Sequence, residues 1–209
     1  MTLDTLFVFL PISLLLILAP GPDSILVLTR GITMGRRAAI ISATGVSIGL
    51  VCHSLFAAAG LSAIVQRSAA AFSIVKYLGA AYFLFLGVRA LLGRGETDFS
   101  ASARTGIGTG RIFIQGMLSN LLNPKIVIFF LAYLPQFASA RSGHLAVELL
   151  ALGLLFASLT WTILIGYAWC SGMIGTWVRQ RRSMTRVIDR LTGIVFIGLG
   201  LRLALTKRG

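Results

Sequence analysis

Two short segments combine prolines, amides and charged side chains within apolar surroundings. The first is Ala19-Pro20-Gly21-Pro22-Asp23, and the second is Asn120-Leu121-Leu122-Asn123-Pro124-Lys125. Each proline removes a backbone N–H and clashes with the preceding helical turn, so both segments predict a broken helix. In hydrocarbon, the backbone groups freed by such a break must meet protein or water. The two segments are therefore candidates for a buried polar site.

Each break is expected to start a new half-helix. Pro22 suits the first position of a helix, with Asp23 in the first turn, where the helix dipole favours an anion. Asn123 can cap the second half-helix and Pro124 can begin it. The exposed amides of such helix starts are ready sites for a carboxylate.

The charges at the two breaks allow several roles. A carboxylate inside a membrane span is by default a functional hypothesis. Asp23 could bind a substrate ammonium, carry a coupling proton, or cap its helix while pairing with Lys125. Lys125 stands in a first turn, where the dipole disfavours a cation, so it needs either Asp23 or a substrate carboxylate as its partner. Asn120 could supply neutral hydrogen bonds between helices.

Three further side chains have weaker claims to chemistry. Lys76 could snorkel to the membrane surface, or it could meet an acid or a substrate carboxylate at an outer gate. His53 follows Cys52, but a metal site needs three or four converging ligands, so we predict no metal and no cofactor. The chain also lacks the nucleophile-elbow, zinc-protease and phosphate-loop signatures, so we predict that it is not an enzyme.

The elements that position these residues are predicted to be membrane helices. The 209 residues are 56% hydrophobic and 12% charged, whereas a soluble domain carries about 25% charged residues. Six stretches reach the roughly 20 apolar residues that a spanning helix needs: 5–29, 39–65, 71–92, 112–137, 145–170 and 187–205. We therefore predict an all-α integral membrane protein with six transmembrane helices, of which the first and fourth are broken.

The basic residues predict the orientation in the membrane. Twelve arginines, among them Arg30, Arg36 and Arg37 in the first loop, fall between spans one and two, three and four, or five and six. The opposite side carries five basic residues. The positive-inside rule then places both termini outside the cytoplasmic membrane, with the arginines near anionic lipid headgroups. The net charge of +13 thus requires no nucleic acid.

An internal repeat organises the spans. Residues 75–92 align without a gap on residues 188–205, with identities that include Phe83 with Phe196 and Gly87 with Gly200. A unit of three spans crosses the membrane an odd number of times, so its second copy runs inverted. We expect one domain over 1–209, with repeats over about 1–95 and about 110–209, an architecture of secondary transporters. Glycine-rich faces leave open whether the chain forms a homo-oligomer.

Taken in order, these motifs resemble the LysE/RhtB family of bacterial amino-acid exporters. The two proline segments and Lys76-Tyr77-Leu78-Gly79-Ala80-Ala81-Tyr82 carry the resemblance. It implies a six-span inner-membrane exporter of small amino acids or derivatives such as homoserine, driven by the proton gradient. The family's motifs fall on the following residues: Pro20, Gly21 and Pro22; Asn123, Pro124 and Lys125; and Lys76.

The function expected from these observations is amino-acid efflux by alternating access and proton antiport. The substrate carboxylate would meet Lys125 and helix-start amides, while its ammonium would meet Asp23 and the carbonyls freed near Leu16 and Leu18. A passive channel for small solutes and a cation or metal exporter of the same architecture are the alternatives.

Overall fold

In the described residues, the protein folds into two helix pairs that are interrupted at a proline, each followed along the chain by two unbroken helices. The computed structural model describes residues 3–61, 69–92, 108–138, 143–180 and 182–205. The helices in these ranges are α1 (Leu3–Leu18), α2 (Pro22–Met34), α3 (Arg36–Phe56), α4 (Ala69–Leu91), α5 (Thr109–Leu121), α6 (Pro124–Ile128), α7 (Leu145–Gln180) and α8 (Arg182–Leu205). A π-helical turn, Ala57–Leu61, extends α3, and a π-helical segment, Phe129–Tyr133, followed by a 3-10 turn, Leu134–Phe137, extends α6.

The lengths and compositions of these helices make the chain a multi-pass membrane protein. Within the described ranges, three unbroken segments are long and apolar enough to cross a bilayer: Arg36–Gly60, Ser73–Leu91 and Leu145–Ser171. Two bent pairs reach the same length together, α1 with α2 at 51° and α5 with the Pro124–Phe137 segment at 48°. The breaks predicted in the first and fourth membrane spans are therefore confirmed. The sixth span stays a prediction, since α8 is not among the spans that the described residues support.

One predicted boundary is wrong. The first span was expected to end at 29, but α2 continues to Met34, so Arg30 lies inside a helix and is buried. Gly35 alone separates α2 from α3 and adopts φ +85°, a left-handed conformation that favours glycine. The fifth span, expected over 145–170, agrees with the apolar segment Leu145–Ser171, and α7 itself continues to Gln180. Several basic residues of the orientation argument lie outside the described residues: Arg67, Arg94, Arg104, Arg141, Arg181, Lys207 and Arg208.

Small residues bring α3 and α5 into backbone contact. A Cβ added at Gly45 would overlap the Phe113 carbonyl oxygen, and one added at Gly116 would overlap the Ser42 carbonyl oxygen. In a membrane, where lipid is as apolar as the side chains, such close approach supplies the packing that holds helices together. The first half of the second broken span is thus fixed against α3.

The contact between α4 and α8 has a reciprocal form. A Cβ on Gly87 would lie 2.8 Å from the Gly193 oxygen, and one on Gly200 would lie 2.9 Å from the Ala80 oxygen. In the internal alignment Gly87 matches Gly200 and Ala80 matches Gly193, so the two contacts exchange equivalent positions. Between them Phe83 packs on its own equivalent, Phe196, with ring centroids 6.0 Å apart. Self-complementary contacts of this kind arise across a twofold axis, and they support the predicted inverted repeat.

An aromatic cluster fills the space behind the second break. Phe129 stacks on Phe156 of α7 at 4.5 Å between ring centroids, and Phe130 meets the same ring edge-on at 6.0 Å. Tyr133 continues the row against Phe129 and Phe83. These rings belong to the main buried core, which thereby joins the second break to α4 and α7.

Candidate functional site

The first break is closed locally by glycine and serine. Gly21 is the N-cap of α2 in an extended conformation, and Pro22 is the first helical residue. The Gly21 amide donates to Ser24 Oγ, and the Ser24 hydroxyl donates back to the Gly21 carbonyl oxygen, each at 3.0 Å. Ser24 therefore satisfies the groups of Gly21, while the proline ring removes the donor that would have bonded the carbonyl of Leu18.

The second break is closed by an asparagine. Asn123 is the N-cap of α6, and its Oδ1 accepts from the Lys125 amide at 3.1 Å. Pro124 occupies the first helical position, where its missing N–H has no intrahelical partner to lose. The half-helix starts expected at Pro22 and Pro124 are both confirmed.

The carboxylate of Asp23 lies at the end of α5, across from its own helix. Its Oδ2 accepts from the side-chain amides of Asn120 at 2.8 Å and Asn123 at 3.0 Å. Its Oδ1 accepts from the Ser119 hydroxyl at 3.1 Å. Asp23 is 9% exposed, so these three neutral donors replace the water that an exposed carboxylate would bind.

The ammonium of Lys125 lies at the end of α1. It donates to the carbonyl oxygens of Leu16 at 3.2 Å and Ala19 at 3.0 Å, and it lies 5.6 Å from the centre of the Phe196 ring. Pro20 has no amide to donate to the Leu16 carbonyl, so Lys125 satisfies a group that the break has freed. The carbonyl end of α1 carries a dipole that favours this cation, and the anionic partner expected for Lys125 stays a prediction.

The charged side chain at each break thus contacts the helix that precedes the other break. Asp23 and Lys125 both stand second in their half-helices, directly after Pro22 and Pro124. Each side chain reaches the end of the helix that precedes the other break: the anion finds N–H and O–H donors, and the cation finds carbonyl oxygens. Equivalent positions of the two halves therefore make equivalent contacts with opposite charges.

A small cavity lies beside this crossing. It offers about 20 Å³ to a water-sized sphere, which is room for about one water molecule. The two breaks supply its polar wall, and a stripe of α7 supplies the opposite wall; the lining residues are Leu16, Ile17, Gly21, Asp23, Ser24, Asn123, Lys125, Ile126, Phe156, Thr160 and Leu164. An amino acid would fit here only if Lys125 or the helices around it moved.

Other predicted residues lie apart from the cavity. Lys76 is buried in α4 with its ammonium 4.4 Å from the centre of the Tyr77 ring, and it does not line the cavity. His53 packs on Phe130, and its Nε2 lies 3.4 Å from the Asn120 carbonyl oxygen. Within the described ranges, no three histidine, cysteine or acidic side chains come close enough to share a metal ion.

Sequence reasoning missed several residues of this site. Ser24 and Ser119 hold the breaks, and Phe156, Thr160 and Leu164 form the α7 wall. Ser119 directly precedes Asn120, and Ser24 follows the Pro-Asp pair, so both stood next to a recognised motif. The α7 residues carried no such signal, because they belong to a long helix that is apolar on all sides.

Comparisons with known proteins agree over nearly the whole chain. The pattern of the family described as LysE type translocator matches residues 14–207. The homoserine/homoserine lactone efflux protein of Salmonella typhimurium is 33% identical over 204 residues, 98% of each chain. The leucine efflux protein of the same organism is 30% identical over 197 residues, 92% of this chain and 91% of that protein.

A third relative, an uncharacterized membrane protein of Vibrio cholerae, is 30% identical over 190 residues, 91% of each chain. No solved structure matches significantly. The family and the two named relatives are transport proteins and not enzymes. With this match, and with the two broken helices and their buried side chains of opposite charge described above, the chain belongs to the LysE type translocator family.

Proposed function

We propose that this protein exports small amino acids or their close derivatives from the bacterial cytoplasm by proton antiport with alternating access. The observation that carries the proposal is the crossed pair of buried charges at the two breaks. A carboxylate and an ammonium held within one cavity wall match the two charged ends of a zwitterion. The relatives named for homoserine and leucine efflux support the same substrate class.

The binding mode follows from which groups can exchange partners. The substrate ammonium takes the place of the Lys125 ammonium at the Leu16 and Ala19 carbonyl oxygens and approaches Asp23. Lys125, released from α1, then meets the substrate carboxylate together with the free amides at the start of α2. The substrate side chain faces Phe156 and Leu164 of α7, which favours small and neutral side chains.

Exchange of these partners also moves the helices. Lys125 ties α6 to the end of α1, and Asp23 ties α2 to the end of α5. Breaking one tie frees one pair of half-helices to separate while the other tie holds. A substrate that binds between the breaks therefore favours a different arrangement of the two repeats, which is what alternating access requires.

Proton coupling is assigned to Asp23. Asn120 and Asn123 present only N–H groups to Oδ2, and an amide N–H cannot accept a hydrogen bond from a protonated carboxyl group. The Ser119 hydroxyl at Oδ1 can turn and accept instead. The proton therefore binds at Oδ1. Protonation removes the negative charge that holds the substrate ammonium, so proton binding and substrate binding at Asp23 exclude one another.

The orientation is proposed from the charges. The end of the molecule at which α2 and α3 meet carries Arg36 and Arg37, and the positive-inside rule places it in the cytoplasm. Both termini then lie outside the inner membrane.

The proposal is tested by efflux from proteoliposomes that contain the purified protein. Vesicles are loaded with one of a panel of amino acids, and efflux is followed against an opposing substrate gradient with and without an inward proton gradient. Uphill efflux that stops when the proton gradient is collapsed supports antiport. Efflux that occurs only down the substrate concentration gradient would instead indicate a passive channel.

Two variants test the named charges. Asp23→Asn is expected to abolish proton-driven uphill efflux, and Lys125→Gln is expected to weaken binding of substrates that carry a carboxylate. Glu148→Gln, which neutralises an acid at the start of α7, is the matched control and should behave as the unmodified protein. Full gradient-driven efflux by Asp23→Asn would remove Asp23 from the coupling step.

A further inference from the structure

Arg30 is a buried cation that the proposed transport site does not use. It belongs to α2 and is only 8% exposed. It lies seven residues after Asp23, which is about 10 Å further along the same helix face. The first loop expected at this position is absent, so the burial of Arg30 requires its own explanation.

Among the residues that the structure describes, the partners of Arg30 are neutral. Its Nη2 donates to Gln115 Oε1 of α5, and its Nη1 donates to the sulfur of Met34 at 3.0 Å. A guanidinium has five N–H donors and stays charged at any physiological pH, while a thioether is a weak acceptor. A buried charge without an anion is costly, so the guanidinium is poised to take up an anionic group.

The surroundings connect Arg30 with the transport site. Gln115 and Ser119 are one turn apart on the same face of α5, and both are half-buried. Ser119 bonds Asp23 as Gln115 bonds Arg30. The antiparallel pair α2 and α5 therefore carries one polar row, with a cation at the end near Gly35 and an anion at the break.

We infer that Arg30 and Gln115 form a second binding site, which takes the carboxylate of a substrate on its way from the cytoplasm to the central cavity. The inference rests on the proposed function. A guanidinium fork binds a carboxylate through two parallel N–H bonds, and the Gln115 amide can add an N–H donor once its oxygen is released. The zwitterion is then handed on with its ammonium toward Asp23.

The inference makes a free carboxylate a requirement for efficient export. An amino acid and its methyl ester share the ammonium and the side chain, but the ester cannot bind a guanidinium as an anion. Arg30→Gln is therefore expected to raise the half-saturating internal concentration of an amino acid about tenfold, the scale of one lost charge-assisted hydrogen bond. It should leave that of the methyl ester unchanged.

Gln115→Glu tests the same site in the opposite way. The new carboxylate gives Arg30 an anion of its own, so the thermal stability of the protein should rise while the half-saturating concentration of the amino acid also rises. Arg30→Lys keeps the charge without the fork and should be intermediate. Arg36→Gln, a change to an exposed arginine at the same end of the molecule, is the matched control and should leave both substrates unaffected.

All variants are measured as efflux from proteoliposomes, with and without phosphatidylglycerol, after equal folding has been checked by thermal unfolding. An equal effect of Arg30→Gln on amino acid and ester would overturn the inference, as would unchanged transport by Gln115→Glu. An effect that needs phosphatidylglycerol would assign the anion to a lipid phosphate and also overturn it.

The acids Glu96 and Asp98 lie outside the described residues, and the side chain of Asp189 does too. Neutralising these three acids together should leave the half-saturating concentration of the amino acid unchanged. If it raised that concentration as Arg30→Gln does, Arg30 would form a structural ion pair with one of them, and the inference would be overturned. Absence of amino-acid efflux by the unmodified protein would count against the proposed function itself. Efflux that is retained but indifferent to Arg30 would count against this inference alone.

Discussion

Ser119 can both donate a hydrogen bond to Asp23 and accept one from it. The asparagine amides on the other carboxylate oxygen can only donate through the atoms that face it. A protonated Asp23 therefore depends on Ser119 for a partner, whereas the ionised form keeps two donors without it. The role of this residue is thus specific to one protonation state.

Substitution Ser119→Ala should reduce proton-driven efflux about fivefold, the scale of one neutral hydrogen bond. Exchange of internal for external substrate should change less, since it needs no proton. The measurement compares the two rates in the same proteoliposomes. Ser158→Ala, which removes an exposed α7 hydroxyl bonded to the Leu154 carbonyl, is the control. An equal loss in both rates would place Ser119 in substrate binding.

The roles of single residues were only partly predictable from the sequence. The breaks at Pro22 and Pro124 were predictable, because a missing backbone N–H disrupts the helix in which the proline itself lies. The partners of Asp23 and Lys125 were not, because they depend on how two distant helices cross. The burial of Arg30 was not predictable for a related reason. A single glycine, Gly35, is enough to turn the chain, so the sequence between α2 and α3 contained no loop from which the end of α2 could be located.

At the scale of elements, α7 carries a stripe that faces the cavity. Phe156, Thr160 and Leu164 are spaced by four residues and therefore share one helix face. The Thr160 hydroxyl donates to the Phe156 carbonyl at 2.8 Å, which leaves its lone pairs available toward the cavity. Thr162 makes the same bond to Ser158 at 2.9 Å on an exposed face.

The pair of threonines offers a controlled test of substrate selection. Thr160→Val removes an acceptor from the cavity at nearly constant volume, so it should disfavour hydroxylated amino acids relative to aliphatic ones by about fivefold. Thr162→Val should leave the ratio unchanged. The ratio is measured by competition between the two amino acids for efflux. An equal ratio in both variants would show that α7 does not face the substrate.

At the scale of the whole molecule, the reciprocal contact between α4 and α8 fixes the two halves to each other. Gly87 and Gly200 occupy equivalent positions, and each lies against a backbone carbonyl of the other helix. An added methyl group at either position cannot be accommodated without a shift of the backbone. The reciprocal form of the two contacts predicts similar consequences for both substitutions.

Gly87→Ala and Gly200→Ala should each destabilise the protein by about 1–3 kcal/mol, the usual cost of overpacking. Gly198→Ala is the control, since a Cβ there meets nothing within 4 Å. Thermal unfolding in detergent measures all three. Loss of stability in one of the two reciprocal variants alone would argue against a symmetric interface.

The crossed bonds at the breaks have a consequence for when the transporter works. Lys125 occupies the carbonyl oxygens at which the substrate's own ammonium is to bind, so each molecule of substrate competes with a side chain that never diffuses away. The apparent affinity is then the intrinsic affinity multiplied by the fraction of time that the lysine spends elsewhere. Under the proposed function, a cell that carries this protein is therefore expected to keep its ordinary amino-acid pool and to export the surplus.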